Sequence, residues 1–298
     1  MSTSAPSPDA ISAPDAEQVC VRIDEFTDPL CPWAYSAEPF RRRLRWLYEG
    51  RIDWVPRMVV LADDAAANEE KGLTPEKLAE GAKKIARDHK MPIDTRPRDY
   101  VAGSRDACRA VVAARVHGEE HHARALLRAL RVANFSGEQL DRREVIEAAA
   151  HVATIDPAQL REWERDERTE AALQADIDDA RQPRAAARVL DSKLANWSGG
   201  RRYTCPSYEI TRLEDDVTIA VPGFQPFAVY DTILANLVPG MERRESPGSV
   251  QDVLEWSAVP IGTQEVAVML EIDFEDAREE LGRVAELEPV GSDGFWSL

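Results

Sequence analysis

The residues best suited to chemistry stand together in Asp28-Pro29-Leu30-Cys31-Pro32-Trp33-Ala34-Tyr35. The stretch before them, Val19–Phe26, reads as a strand, because Val21 and Ile23 alternate with Arg22 and Asp24. The stretch after, Pro32 to Tyr48, reads as a helix with Tyr35, Phe40, Leu44 and Leu47 at helical spacing and Gly50 as its stop. Cys31 is thereby expected at a helix N-terminus. Free backbone N–H groups and the positive end of the helix dipole stabilise a thiolate there. Pro32 suits the first helical position, where its missing N–H would be unpaired in any case. The chemistry this predicts is nucleophilic, from a thiol of depressed pKa. The competing reading is a buried structural cysteine. Trp33 is expected partly exposed beside the thiol, where a partner would dock, and Tyr35 in the core.

Glu25 lies six residues before Cys31, on the strand face of Val21 and Ile23. Two readings are open. Either it is a buried acid with a raised pKa that shuttles the thiol's proton, or it is a strand-end carboxylate reaching solvent. The other cysteines are Cys20, Cys108 and Cys205, with no CxxC pair and no finger-like spacing, so no metal site and no cofactor is expected. His117-Gly118-Glu119-Glu120-His121 matches a zinc-peptidase pattern, but it contains Gly118 and lacks a further ligand.

These residues need a scaffold. The chain has 298 residues, 44% of them hydrophobic, enough for one large domain or two to three small ones. Lys+Arg number 37 against 54 Asp+Glu, a formal net charge of -17. Such a chain repels phosphate backbones and anionic lipid, which disfavours a general nucleic-acid binder. Only six of the 37 basic residues are Lys; acid excess with scarce Lys suits a halophile. No apolar run approaches the ~18 residues of a membrane-spanning helix. Residues 1–18 have neither a basic start nor an apolar stretch, so a disordered tail and a cytoplasmic location are expected.

Ile52–Leu61 reads as a second strand, giving β-α-β and a parallel pair. From Thr74 to about Leu194 the pattern is helical, with Gly103-Ser104, Ser136-Gly137 and Asp156-Pro157 as breaks. Ser207–Leu213 and Val217–Val221 read as a hairpin, and Pro226–Val238 as a helix. Helices over Ser249–Trp256, from Thr263 and from Asp273, then a hairpin over Glu288–Leu298 turning at Ser292-Asp293-Gly294, resemble a winged-helix module forming a separate small unit. Its presumed recognition helix, Phe274–Ala285, is net acidic, so protein contact or intramolecular packing is expected over DNA.

This order of strand, Cys-Pro-Trp, helix, helical insertion, and a proline-containing turn into a hairpin and final helix resembles the DsbA family over about Val19 to Val238. Phe26-Thr27-Asp28-Pro29, Ala37-Glu38-Pro39 and Ala107-Cys108-Arg109-Ala110 extend the likeness, and the tail resembles that of haloarchaeal members. The resemblance implies an α/β thioredoxin-like fold with a large all-α insertion, plus the small C-terminal winged-helix-like module. The expected division is a tail over 1–18, a thioredoxin-like first half over 19–70, an inserted helical domain over 71–195, a second half over 196–241, and the C-terminal module over 246–298. It also implies thiol–disulfide chemistry at Cys31 on a thiol-containing protein or a low-molecular-weight thiol, with a further protein partner at the C-terminal module. The family places a cis-proline beside the nucleophile; the matching residue is Pro206, and the residue before it, Cys205, would face Cys31. Either Cys205 pairs functionally with Cys31, or it is a small apolar filler. Glu25 stands where the wider superfamily often has an acid. Pro32, Trp33, Ala34, Thr204 and Pro206 would contact substrate, and Phe224-Gln225-Pro226-Phe227 resembles the family's loop into the final helix. The family's second CxxC cysteine is Ala34 here, so the motif holds no resolving thiol. That departure leaves an adaptor on a thioredoxin-like scaffold as one alternative, and a thiol-cofactor-dependent isomerase or transferase as another.

Overall fold

Strand β1 (Val21–Thr27) pairs in parallel with β2 (Ile52–Met58), as the β-α-β reading requires. In the computed structural model, which describes residues 19–257 and 259–298, the connection is two helices, α1 (Pro32–Ser36) and α2 (Glu38–Leu47), where one was expected. Pro39 explains the break: it offers no N–H to a preceding carbonyl, and its ring crowds the turn before it. The chain closes α1 with the Ala37 N–H on the Trp33 carbonyl, 3.2 Å, and restarts. The tail expected over 1–18 lies outside the described residues.

The helical block comprises α3 (Ala65–Glu70), α4 (Pro75–His89), α5 (Arg105–His117), α6 (His122–Phe135), α7 (Arg143–Val152), α8 (Pro157–Arg165), α9 (Glu167–Ala180) and the short α10 (Ala185–Arg188). Thr74 caps α4 by accepting from the Lys77 N–H, with Pro75 in the first turn. Alanines and valines make α5 the centre of the block. Ala107, Cys108, Ala110, Val111, Val112, Ala113 and Ala114 are all solvent-free, packed against Leu126 and Leu130 of α6 and Leu173 of α9. Leu194 opens β3 (Leu194–Trp197), paired antiparallel with β4 (Gly200–Tyr203), a hairpin the sequence did not announce.

Strands β5 (Ser207–Arg212) and β6 (Thr218–Val221) complete the main sheet in the order β2-β1-β5-β6, with β5 antiparallel to both neighbours. Helix α11 (Phe227–Leu237) buries Tyr230, Leu234 and Leu237 in the core shared with Val21, Ile23 and Ile210. The result is an α/β thioredoxin-like fold with a helical insertion. Among the described residues no helix is long and apolar enough to cross a membrane.

The C-terminal stretch carries α12 (Val250–Ser257), β7 (Ile261–Gly262), α13 (Thr263–Leu270), α14 (Phe274–Leu281), β8 (Glu286–Val290) and β9 (Asp293–Ser297). The three expected helices and the hairpin are present. The hairpin turns earlier than expected, at Gly291-Ser292, where Gly291 has φ 62° and an added Cβ would strike the Ile93 backbone. The two-residue β7 adds a third strand, giving the order β7-β9-β8.

The stretch is not the separate unit the linker-like composition suggested. Val253, Val266, Met269 and Trp296 belong to the same core as Ile23 and Leu44. The Glu265 side chain, fully buried on α13, accepts from Arg42 Nε of α2 and from Arg128 Nη2 of α6, both at 2.7 Å. A buried charge is tolerated only when paired and hydrogen-bonded, so this contact fixes the C-terminal stretch to both α2 and the helical insertion.

Candidate functional site

Cys31 caps α1 in extended backbone conformation, and its own N–H bonds to the Asp28 carbonyl at 3.1 Å. The residue is 5% exposed, in a cluster with Phe26, Ala34, Val59, Tyr203 and Cys205. The Cys205–Pro206 peptide is cis, and the turn that holds it brings Cys205 across the fold to Cys31. As a thiol, Cys31 donates from Sγ to the Cys205 carbonyl oxygen, 3.2 Å. As a thiolate, it accepts from the Cys205 thiol and from the backbone N–H groups of Ala34 and Trp33. The Cys205 hydrogen bond is the largest influence; together with those amides it holds the Cys31 pKa below the ordinary thiol value, against burial and the charge of Asp28. Burial, followed by the adjoining Cys31, pushes Cys205 well above the ordinary value. The pair is therefore polarised: Cys31 ionises and Cys205 supplies the proton. Cys31, Cys108 and Cys205 are free thiols in this structure.

Glu25 requires a correction. It is buried, on the strand face of Val21 and Ile23, but it neither carries a raised pKa nor reaches solvent. Burial opposes its charge, yet Arg41, Arg131 and the Trp54 indole N–H overcome burial and hold the carboxylate down at about 2. Arg41 Nη1 donates to both oxygens, at 2.8 and 2.7 Å, Arg131 Nη2 to one at 3.0 Å, and Trp54 Nε1 to the other at 2.8 Å. Strand alternation sends the side chain of Phe26, not that of Glu25, towards the Cys31 cluster. Glu25 is an anchor for two buried arginines, and a carboxylate held at about 2 is too weak a base to shuttle the thiol's proton near neutral pH.

The acid that acts on Cys31 is Asp28, which the sequence presents only as part of a turn. It is fully buried. Its Oδ1 accepts from the Leu30 N–H, 2.8 Å, and its Oδ2 from the Leu61 N–H, 2.8 Å, the Ser104 hydroxyl, 2.7 Å, and the Cys108 thiol, 3.6 Å. Burial pushes its pKa up against those four donors. The Asp-x-Leu spacing was a usable signal, since Asp commonly bonds the backbone two residues on; Leu61 and Ser104 gave none.

The expected contact residues differ in exposure and partners. Trp33 is 45% exposed, and its ring meets His89 and Phe224 edge-on, with centroids at 5.1 and 5.9 Å. Phe224 thus lies beside the site rather than at a distance from it. Ala34 is buried against Cys31, and Pro206 is buried beneath the turn. Thr204 is half-buried, its hydroxyl donating to the Lys193 carbonyl, 3.1 Å. Tyr35 is in the core, stacked on Phe135 and bonded to the Pro92 carbonyl. The zinc-peptidase pattern does not assemble: His117 is tied to Thr169 and Arg168, and the metal-spaced group at that turn is Glu119, His121 and His122 without it.

Comparison with known proteins agrees with this fold. The family model described as DSBA-like thioredoxin domain matches residues 22–186. The chain is 25% identical over 288 residues to the ClpXP adapter protein SpxH of Halalkalibacterium halodurans, covering 93% of this chain and 88% of that one. Among solved structures it resembles a putative protein disulfide isomerase from Nitrosomonas europaea, with TM-score 0.55 and 16% identity over 73% of this chain and 98% of that one. It also resembles a probable DsbA oxidoreductase from Streptomyces coelicolor, with TM-score 0.51 and 19% identity over 77% and 94%.

Proposed function

Since the chain belongs to the DSBA-like thioredoxin-domain family, we propose that it carries out thiol–disulfide exchange with Cys31 as nucleophile and Cys205 as the second thiol. The observation that carries the reading is the approach of Cys205 to Cys31 across the fold, where the Cys31 thiol donates to the Cys205 carbonyl oxygen at 3.2 Å. The Cys31 thiolate attacks a substrate disulfide, forms a bond to one sulfur and expels the other as a thiolate, which takes up a proton. Cys205 then gives its proton to solvent or to the departing thiol and attacks Cys31 Sγ. The second substrate thiolate leaves, and a Cys31–Cys205 disulfide remains. The substrate is reduced by two electrons and the protein oxidised by two; the reverse sequence oxidises a dithiol. Cys205 thus replaces the resolving cysteine that Ala34 lacks. Trp33, with the half-buried Pro32 and Thr204, offers the contact surface for a protein thiol or a low-molecular-weight thiol, while Ala34 and Pro206 are buried. A cytoplasmic setting is part of this proposal.

Mass-spectrometric mapping after titration with oxidised glutathione tests it. A Cys31–Cys205 bridge that forms and reduces reversibly, and that disappears in Cys31→Ser and in Cys205→Ser, is expected. Exchange at Cys31 with no bridge to Cys205 would overturn the role of Cys205. A second reading, partner binding in the manner of an adaptor, is favoured by one observation: the likeness to the adapter SpxH runs over 93% of this chain, whereas the two solved structures cover 73% and 77% of it. The C-terminal module is then the natural protein-contact element. Binding of a client that survives Cys31→Ser combined with Cys205→Ser would select this reading, and loss of binding would reject it.

A further inference from the structure

A pocket of about 320 Å³ lies where the thioredoxin-like part, the insertion and the C-terminal stretch meet. Its wall includes Ser36 of α1, Phe40 of α2, His89 at the end of α4, Gln264 of α13 and Phe274 of α14. Aromatic contacts join it to Trp33, two residues beyond Cys31. The Trp33 ring meets His89 at 5.1 Å and Phe224 at 5.9 Å, and Phe224 meets Phe40 at 5.7 Å. Three polar side chains on the wall are unused. Ser36 is 3% exposed, and its hydroxyl has no hydrogen-bond partner among the described residues. Asp273 is the N-cap of α14 and also lines the pocket, yet its carboxylate does not bond the amides of the helix it precedes. Aspartate at that position ordinarily does so. Among the described residues, neither that carboxylate nor the Gln264 amide meets a side-chain or backbone partner. A buried hydroxyl left unpaired costs stability, and here it stands beside two further acceptors that nothing in the fold engages.

We propose that this pocket holds an arginine side chain of a polypeptide partner, its guanidinium against the aromatic wall and its N–H groups on Asp273, Gln264 and Ser36. The occupant follows from the chemistry of the wall. A purely apolar side chain would leave the three polar groups without water or partner. A carboxylate would face Asp273, and also Asp88, which Arg87 engages at 2.9 Å, in a chain of formal net charge -17. His89 offers a carboxylate no charge at neutral pH, because burial pushes its pKa below the ordinary value. Of the two basic side chains, lysine carries a compact, strongly hydrated ammonium, whereas the guanidinium is planar, stacks on aromatic faces and presents five donors to separated acceptors. The wall already attracts a cation of its own: Lys90 Nζ lies over the Phe274 ring, 4.9 Å from its centroid. Lys90 is therefore a competitor for the guest. Binding here needs no thiol, so the inference goes beyond thiol exchange. A polypeptide anchored in the pocket lies beside the exposed Trp33, and the pocket thereby selects partners for the face that carries Cys31.

The test is a titration of the full chain with a capped alanine pentapeptide bearing a central arginine, followed by amide shifts in nitrogen-15 NMR at about 0.15 M salt, where exposed charges are largely screened. The same peptide with citrulline, lysine or glutamate at the centre provides the comparison. Saturable shifts centred on Ser36, Phe40, Gln264 and Phe274 are expected with arginine, and markedly weaker binding with the other three. Asp273→Asn should weaken the arginine peptide about tenfold, the worth of one charge-assisted hydrogen bond. Ser36→Ala should weaken it less while leaving thermal stability unchanged or raised, because it removes an unpaired buried hydroxyl. Lys90→Ala should strengthen it. Equal binding of the citrulline peptide, or no binding of any peptide, would overturn the proposal. So would shifts spread over the surface and indifferent to Asp273→Asn, which mark general attraction to an acidic chain. Preference for the glutamate peptide, lost in Lys90→Ala, would make the pocket an anion site instead. The peptides contain no cysteine, so failure here leaves thiol exchange standing, and absence of a Cys31–Cys205 bridge leaves this test unaffected.

Discussion

The working parts of the thiol site lie on two short segments, Asp28–Ala34 and Thr204–Pro206, and their chemistry is set by which groups donate to Cys31. The Cys205 thiol is the strongest of those donors. Removing it in Cys205→Ala is expected to slow alkylation of Cys31 at neutral pH about tenfold, the equivalent of about one pKa unit. Cys205→Ser is expected to recover most of the rate, because a hydroxyl still donates. A rate that is the same in the Ala and Ser variants would show that the hydrogen bond does not set the acidity of Cys31. Much of this was legible in the chain itself. Cys-Pro at a strand-to-helix junction locates the nucleophile, and the family resemblance locates Cys205 beside a cis-proline. The two acids were not legible. Glu25 is on the buried face, as strand alternation predicts, but its state is set by Arg131, which lies 106 residues away on α6. Asp28 finds Ser104 and Cys108 only because the insertion folds back over the end of β1. Short-range periodicity carries no information about either meeting.

At the scale of elements, the helices were easier to anticipate than the minor strands. Helix α4 announces itself with a capping Thr74 and first-turn Pro75, and α11 with its apolar face, while β3 and β4 carry Asn196, Arg201 and Arg202 and no apolar alternation. Their pairing is fixed by the tight Ser198-Gly199 connection and not by a buried face. The junction between α2, α6 and α13 was equally silent, because an arginine on a helix looks like a solvated face until its partner is known. Arg42, Arg128 and Glu265 are instead buried together. Glu265→Gln leaves two guanidinium groups without their shared carboxylate, and breaking a buried pair typically costs about 3–5 kcal/mol. Urea denaturation should show a loss of that order. Glu271→Gln, which breaks the pair between Arg43 and a Glu271 side chain that is 56% exposed, should cost less than about 1 kcal/mol. Equal losses would mean that the α13 junction is not held by its buried charges.

For the whole molecule, surface charge and buried charge make opposite demands as pH falls. The formal net charge of -17 means that acidification from neutrality first relieves repulsion among surface carboxylates, which favours the compact state. The buried network responds the other way. Glu25 sits at about 2 in the folded chain against an ordinary 4.5, and Glu265 is also lowered, so both bind protons more readily once unfolded. The Glu25 contribution is complete above the unfolded value and is lost as pH falls from about 4.5 towards 2, and that of Glu265 has the same sign. Asp28 and Asp293, both raised by burial, have the opposite sign: they cost stability as pH rises past the ordinary carboxylate value and return it on acidification. Salt separates the two demands, because it screens exposed charges within a Debye length of about 3 Å at 1 M and buried pairs much less. Thermal unfolding followed from pH 7 to 2 is therefore expected to show a rise or plateau down to about pH 5 in low salt. In 1 M salt the rise should flatten, and under both conditions stability should collapse between about pH 4.5 and 2, where the arginines lose their carboxylates. A collapse that moves with salt as strongly as the shoulder above it would place the acid sensitivity on the surface. One that stays in place puts it in the buried Glu25 and Glu265 pairs that join the sheet, the insertion and the C-terminal module.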